Sequence, residues 1–429
     1  MERLMQYVWQ HRLFPPRGLT TVDGVRVSVI DQGRINTGPG PDFFNAKVMI
    51  GGRLWAGDIE IHVRASDWHR HGHDSDPAYD SVILHVVDRD DTMIRRRNGE
   101  TIPQLALPCS PEFGDRYRLL TDRAPGPVLA CRHVIGTMAP VHILDWISAL
   151  ALERLHSKAD RITQMLGQYA GDWDQAAFVT LARALGFGIN SEPFERLAMS
   201  VPLRLLLKHS DSVMSVEALL FGQSGLLDTA PAADPYVSRL IAEYTFLAAK
   251  YGLRRPESMR WKMGGIRPGG FPHRRIALLA AMACGGFRLL PRIISATGEY
   301  EVASIFDIGL SGYWRRRYTF GTESPSAPES LSASSVRTLM INVAAPLTSA
   351  YGAARGDSDA TARAVALLES LPAERNRIVA LFADAGVKVT DALTSQALIQ
   401  LRHAYCETRK CLYCRIGHRM LASHALRER

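Results

Sequence analysis

Between positions 41 and 62 the chain reads Pro-Asp-Phe-Phe-Asn-Ala-Lys-Val-Met-Ile-Gly-Gly-Arg-Leu-Trp-Ala-Gly-Asp-Ile-Glu-Ile-His. Asp42 heads an apolar, strand-like run, and Asp58, Glu60 and His62 stand two residues apart on the return. Carboxylates from two neighbouring strands that meet at one point bind a hard divalent cation, and a third polar group beside them handles an attacking water. Period two puts Asp58, Glu60 and His62 on one sheet face and Ile59, Ile61 and Val63 on the other. Asp42 and Glu60, with the carbonyl of Ile61, are expected to hold Mg²⁺ or Mn²⁺, with Asp58 a further ligand candidate and Glu2 a third carboxylate from the first helix. His62 is expected to orient or deprotonate the water, which histidine does near neutral pH. It lacks the permanent charge of a lysine, and Lys47 is the nearby residue able to supply it.

Two further groups carry metal chemistry. His69, His71, His73 and Asp76 form the densest histidine stretch, and His71, His73 and Asp76 together have the types of a Zn²⁺ hydrolase site. His85, inside an apolar run, is expected to be a hydrogen-bonded core histidine. Near the other end, Cys406, Cys411, Cys414 and His418 follow a Cys-x4-Cys-x2-Cys-x3-His spacing. Either Zn²⁺ takes the three cysteines and His418, or an iron–sulfur cluster takes them with an upstream cysteine such as Cys131.

The elements that must position these groups follow from hydrophobic period. A short helix over residues 2–11 ends at Phe14 and Pro15. Val25, Val27 and Val29 alternate with polar residues, as do Phe44, Ala46, Val48 and Ile50, and Gly51 with Gly52 marks a hairpin turn. A two-residue turn there sets Asp42 opposite Ile61, off the face of Glu60, so the carboxylate pair requires a bulge or an irregular start. Residues 82–87 form a continuous apolar strand broken only by His85. Beyond residue 141 the pattern is helical. The expected division is an α/β domain over 1–135, an α-helical domain over 136–320, a Ser/Pro/Glu-rich linker over about 321–335, and a helical region with the cysteines over 336–429.

Fifty-one Lys plus Arg against 43 Asp plus Glu give a net charge of +8, a mild bias toward anionic partners. Arg254, Arg255, Lys262, Arg267, Arg274 and Arg275 cluster around a Gly/Pro-rich loop with Trp261 and Phe271. Lys262, Arg267 and Arg275 are expected to grip a nucleic-acid backbone, with Trp261 stacking on a base and Lys47 adding a contact at the carboxylate site. The chain opens with no secretory signal pattern and holds no apolar run of the roughly 18 residues a membrane span needs. A cytoplasmic protein with reduced cysteines is therefore expected.

The Pro41, Asp42, Glu60, Ile61, His62 pattern resembles the signature of the PD-(D/E)XK nuclease superfamily, with His62 where the lysine normally stands. That resemblance implies an α+β protein with a restriction-endonuclease-like N-terminal core. The cysteine spacing is similar to that of the nucleases in which a metal cluster ties the chain's end to such a core. Over nearly its whole length the chain is identified as a member of a bacterial family, domain of unknown function 2851. The residues that carry this are Gly40 to Phe43 with Asn45 and Ala46, Trp55, Glu60 to His62, and Ser66 to Trp68. His71 to His73, Asp76, Ala78 and Tyr79 follow, then 82–87, 217–223, Arg267 with Pro268, Phe271 with Pro272, Glu374 with Asn376, and the three C-terminal cysteines. Gly270 departs from the Asn usual there. The family implies no activity.

The expected function is metal-assisted hydrolysis of nucleic-acid phosphodiesters, DNA preferred over RNA. The rivals are a non-catalytic nucleic-acid-binding or scaffold protein built on a degenerate core, and a Zn²⁺ hydrolase using His71, His73 and Asp76.

Overall fold

The alternation along residues 25–64 builds the antiparallel half of a mixed sheet. The structure, a computed structural model, describes residues 1–425 other than 16, 37, 108, 110, 122–127, 257–258, 311 and 326. Helix α1 (Glu2–Gln10) precedes β1 (Val27–Asp31), β2 (Arg34–Ile35), β3 (Phe43–Ile50) and β4 (Arg53–Arg64). A single helical turn, α2 (Asp67–Arg70), then leads to β5 (Val82–Arg89) and β6 (Gln104–Ala106). The sheet order is β1-β3-β4-β5-β6, with β2 also on β3. The pairs β1/β3 and β3/β4 are antiparallel, whereas β4/β5 and β5/β6 are parallel. The protein is thus mixed α+β, its sheet near the N-terminus and helices after it.

One face of the sheet is dry. Phe43, Ala46, Val48, Ile59, Ile61, Leu84 and Val86 bury there against Met5 and Trp9 of α1. Each fully buried isoleucine contributes about 1.5–3 kcal/mol, so the placement of Ile59 and Ile61 decides which way β4 faces. Glu60 and His62 are forced to the opposite face. At Gly57, where β4 meets β5, a Cβ would lie 2.6 Å from the Ser81 carbonyl oxygen and 2.4 Å from Ile83 Cγ2. Only glycine lets the two strands approach there.

The turn is the two-residue hairpin the glycine pair indicates, with Ile50 opposite Arg53. The register then shifts by one between Ala46, which faces Gly57, and Phe43, which faces Ile59. Asn45 occupies the bulge with a left-handed φ of 58°, its N–H donating to Asp58 Oδ1 at 2.9 Å. The shift supplies the irregularity the carboxylate pair requires, and Asp42 comes to lie across from Glu60. Asparagine tolerates this conformation and a β-branched residue does not. Asn45→Gly is expected to leave stability nearly unchanged, whereas Asn45→Val should cost about 1–2 kcal/mol, read by denaturant unfolding of the two variants.

Chain contacts define two units, residues 1–146 with 384–387 and 401–429, and residues 147–383 with 388–400. Among its described residues the second holds helices and no strand. Its core is built on Trp173–Leu185, Val213–Ser224, Pro272–Cys284 and Ala345–Arg355. Among the described residues no single helix is long and apolar enough to cross a membrane.

Candidate metal centre

The wet face of β4 does not meet open water. Glu60 and His62 are 5% and 1% exposed, and His85, facing Glu60 from β5, is 0% exposed. What covers them is the segment after β4. Trp68 of α2 is fully buried and donates its indole N–H to the Arg95 carbonyl at 3.2 Å. The His73 N–H bonds the Trp68 carbonyl at 3.1 Å, and the His71 N–H bonds that of Asp67 at 2.9 Å. The His73 ring stacks on Tyr79 with centroids 3.7 Å apart. These contacts turn His71 and His73 back over the strand.

The result is a compact donor set. Glu60 Oε1 lies 3.4 Å from His62 Nε2 and 3.4 Å from His73 Nε2. His71 Nδ1 stands 3.1 Å from His62 Nε2. One donor atom from each of His62, His71 and His73 lies within 4.8 Å of the others. Bonds of 2.0–2.1 Å to a tetrahedral Zn²⁺ separate neighbouring ligand atoms by about 3.4 Å, the spacing Glu60 keeps to its two histidines. Burial lowers the pKa of His62 and His73 and pushes that of His85 down to about 3, which favours the neutral imidazole a metal requires. Burial also raises both Glu60 and Asp42, the latter raised further by the charge of Glu60, and Glu2 adds to each. A cation is what such a site needs to keep its carboxylates ionised.

His85 orients this set from behind. Its Nε2 lies 2.9 Å from His62 Nδ1, and its own Nδ1 is buried without a hydrogen-bond partner. If His62 ligates through Nε2, its Nδ1 carries the proton and donates to His85, which fixes the tautomer. His85→Phe is expected to weaken metal affinity about 10–100-fold, read by titration of the apoprotein with Zn²⁺, while the sheet stays folded.

Other residues expected at the site are used differently. Asp42 Oδ1 accepts from the Gln6 amide at 2.8 Å and Oδ2 from the Ile61 N–H at 3.1 Å, while its own N–H donates to Glu60 Oε2 at 3.0 Å. Asp42 therefore anchors α1 and Glu60 more directly than it faces the cluster. Asp58 braces the bulge and accepts from the Ser81 hydroxyl at 2.6 Å. Asp76 accepts from the Ala78 N–H at 2.9 Å, starting a short 3-10 turn; Glu60 and His62 take the place beside His71 and His73 that was expected of it. Lys47, opposite Ala56, shares the face of Glu60 but stands four residues away along β4, about 13 Å at strand spacing.

The basic loop is only in part a surface. Arg274 and Arg275 are 2% and 6% exposed. Arg274 donates to the Trp314 and Arg317 carbonyls at 2.8 and 2.9 Å, and Arg275 lies over the Phe187 ring. Trp261 packs on Phe194 and donates to the Ser224 carbonyl at 2.9 Å. Arg275 and Trp261 are thus structural members of the helical core, and of the expected contacts there Lys262 and Arg267 stay exposed. In the first unit His418 leaves the cysteines, its Nδ1 lying 2.8 Å from the Tyr7 hydroxyl, while Cys131 joins Cys406, Cys411 and Cys414 around one cavity.

Strand parity sets His62 beside Glu60 as expected, and His85 is the hydrogen-bonded core histidine its apolar run indicates; that the two histidines are partners follows from the parallel register of β4 and β5, which no local signal sets. Fold and site together define a mixed α+β protein with a buried histidine–carboxylate cluster of metal-ligand spacing at its sheet. The chain belongs to the family described as Protein of unknown function (DUF2851), whose model matches residues 2–377. Comparison with curated proteins and with solved structures gives no match.

Proposed function

We propose that the protein is a metal-dependent hydrolase of nucleic-acid phosphodiesters, with its ion held by Glu60, His62 and His73. The observation that carries this reading is the spacing of Glu60 Oε1, 3.4 Å from one nitrogen of each histidine. Two histidines and a glutamate with one side open is a donor set of catalytic rather than structural zinc. Imidazole-rich sets favour Zn²⁺ and its neighbours over Mg²⁺, with Mn²⁺ the alternative that carboxylates admit. An ion bound there polarises a phosphoryl oxygen and acidifies water. His71, exposed where the donor set opens to solvent, accepts the proton of the attacking water. Asp42 and Gln6 hold Glu60 and α1 in register.

Two features support a nucleic acid as substrate. The net charge is +8. The register shift at Asn45 brings Asp42 across from Glu60, the juxtaposition the nuclease-like signature calls for. The test is cleavage of single- and double-stranded DNA and RNA, and of bis(p-nitrophenyl) phosphate, by metal-free protein supplied with Zn²⁺, Mn²⁺ or Mg²⁺. Metal-dependent cutting of a nucleic acid is the expected result. Cutting of the small diester alone would remove the nucleic-acid assignment, and metal binding without cleavage of any substrate would favour a non-catalytic binding protein.

A further inference from the structure

Four of the six cysteines converge although one is some 275 residues distant in sequence from the others. Cys131 precedes the turn Arg132–Ile135, and Cys406 closes the π-helical turn Leu401–Cys406. Cys411 opens the 3-10 turn Cys411–Tyr413, and Cys414 directly precedes the helix Arg415–Ala425. The turn and the helix pack so closely that a Cβ at Gly417 would lie 2.1 Å from the Cys411 carbonyl oxygen, which holds Cys411 and Cys414 side by side.

All four cysteines line one cavity of about 120 Å³, whose other walls include Leu120 and Leu129. His418, the other candidate ligand, does not line the cavity and is engaged by Tyr7.

We propose that Cys131, Cys406, Cys411 and Cys414 ligate an iron–sulfur cluster in this cavity. Three observations lead to it. Four cysteines, and no histidine, line the space. A zinc ion on four thiolates draws the sulfurs to about 3.8 Å apart and needs no void, whereas an inorganic core of iron and sulfide fills one. The Cys-x4-Cys-x2-Cys spacing with a distant fourth cysteine is itself an iron–sulfur ligand spacing. Arg402 and Arg409 line the same cavity and offset the negative charge of a thiolate-bound cluster. Leu119, Leu120, Val128, Leu129 and Ile416 give the cavity an apolar side, the kind of surrounding that slows hydrolysis of such a cluster. The cluster would tie the chain on both sides of the long helical insertion into one unit, and this inference is independent of the hydrolase reading.

The experiment is anaerobic purification of the full chain with measurement of iron, acid-labile sulfide and zinc. Iron and sulfide in equal amounts, about two or about four of each per chain, are expected, together with a broad visible absorption that bleaches on reduction. Cys131→Ser should lose both, while Cys284→Ser, a cysteine of the other unit, keeps them. One zinc per chain without sulfide would overturn the proposal. So would failure to take up iron and sulfide when both are supplied under reducing conditions to the folded wild-type protein. If Cys131→Ser does not fold, the wild-type stoichiometry decides alone.

Discussion

Glu60→Gln will lose metal-dependent cleavage by at least about a hundredfold, the usual lower bound for removing one preorganised charge-stabilising group, and will lose bound metal with it. The substitution preserves shape and removes charge. Glu60 Oε1 is the atom shared between His62 and His73, so its loss leaves two neutral imidazoles to hold a dication in a buried site. His71→Ala gives the complementary result. His71 is exposed, held by contacts to His62 and Arg70 at 3.1 and 3.5 Å, and Glu60, His62 and His73 remain when it is removed, so the variant should keep its metal while its rate falls by about 10²–10⁴, the range for a lost proton acceptor. Metal content and cleavage rate measured on the same preparations separate the two roles. Full activity in Glu60→Gln would end the hydrolase reading, and loss of metal in His71→Ala would make His71 a ligand instead.

Trp68→Ala should have the largest effect on stability, about 3–5 kcal/mol for a fully buried tryptophan. The cost has two parts. The ring packs edge-on against His73, Tyr79 and His85, with centroids 5.4–5.8 Å away, and its indole N–H bonds the Arg95 carbonyl. Truncation leaves a cavity beneath the metal-binding loop and an unpaired carbonyl at its edge. Trp68→Phe keeps most of the ring and loses only the N–H, for about 1 kcal/mol. Hydrogen exchange of the β4 and β5 amides reports on this unit without requiring the whole chain to unfold in one step. Faster exchange and weaker metal binding are expected together in the alanine variant. Unchanged protection there would mean the loop is held by something other than Trp68.

Much of the sheet was legible because burial imposes a period. The alternation in β1, β3 and β4, the glycine hairpin and the sidedness of Ile59 against Glu60 are all local consequences of one dry face. The bulge was legible only as a requirement. Nothing in the residue types around Asn45 says that its φ is positive, because asparagine is as common in ordinary turns. The site was half legible for a related reason. His71 and His73 were read with Asp76, their neighbour in sequence, yet the donors that meet them come from β4, through a loop whose path Trp68 determines. Arg274 and Arg275 illustrate a different difficulty. Their charge reads as surface, but they follow Pro272 at the start of a helix that is buried on nearly all sides, and long side chains bury readily when backbone carbonyls are in reach.

The order in which the first unit is assembled has a consequence for synthesis. Leu4, Tyr7 and Val8 of α1 share a cluster with Phe113 and Leu120 but also with Met420 and Leu421. A ribosome adding about 5–20 residues per second needs about 20–80 s to make the intervening 400 or so residues. Throughout that interval the apolar side of the first helix stands partly uncovered, while the helical unit emerges and folds. Of the two units, the one whose chain starts earlier is therefore completed later, and a nascent chain stalled before residue 401 would carry a complete helical unit and an incomplete sheet unit, a natural client for a holding chaperone.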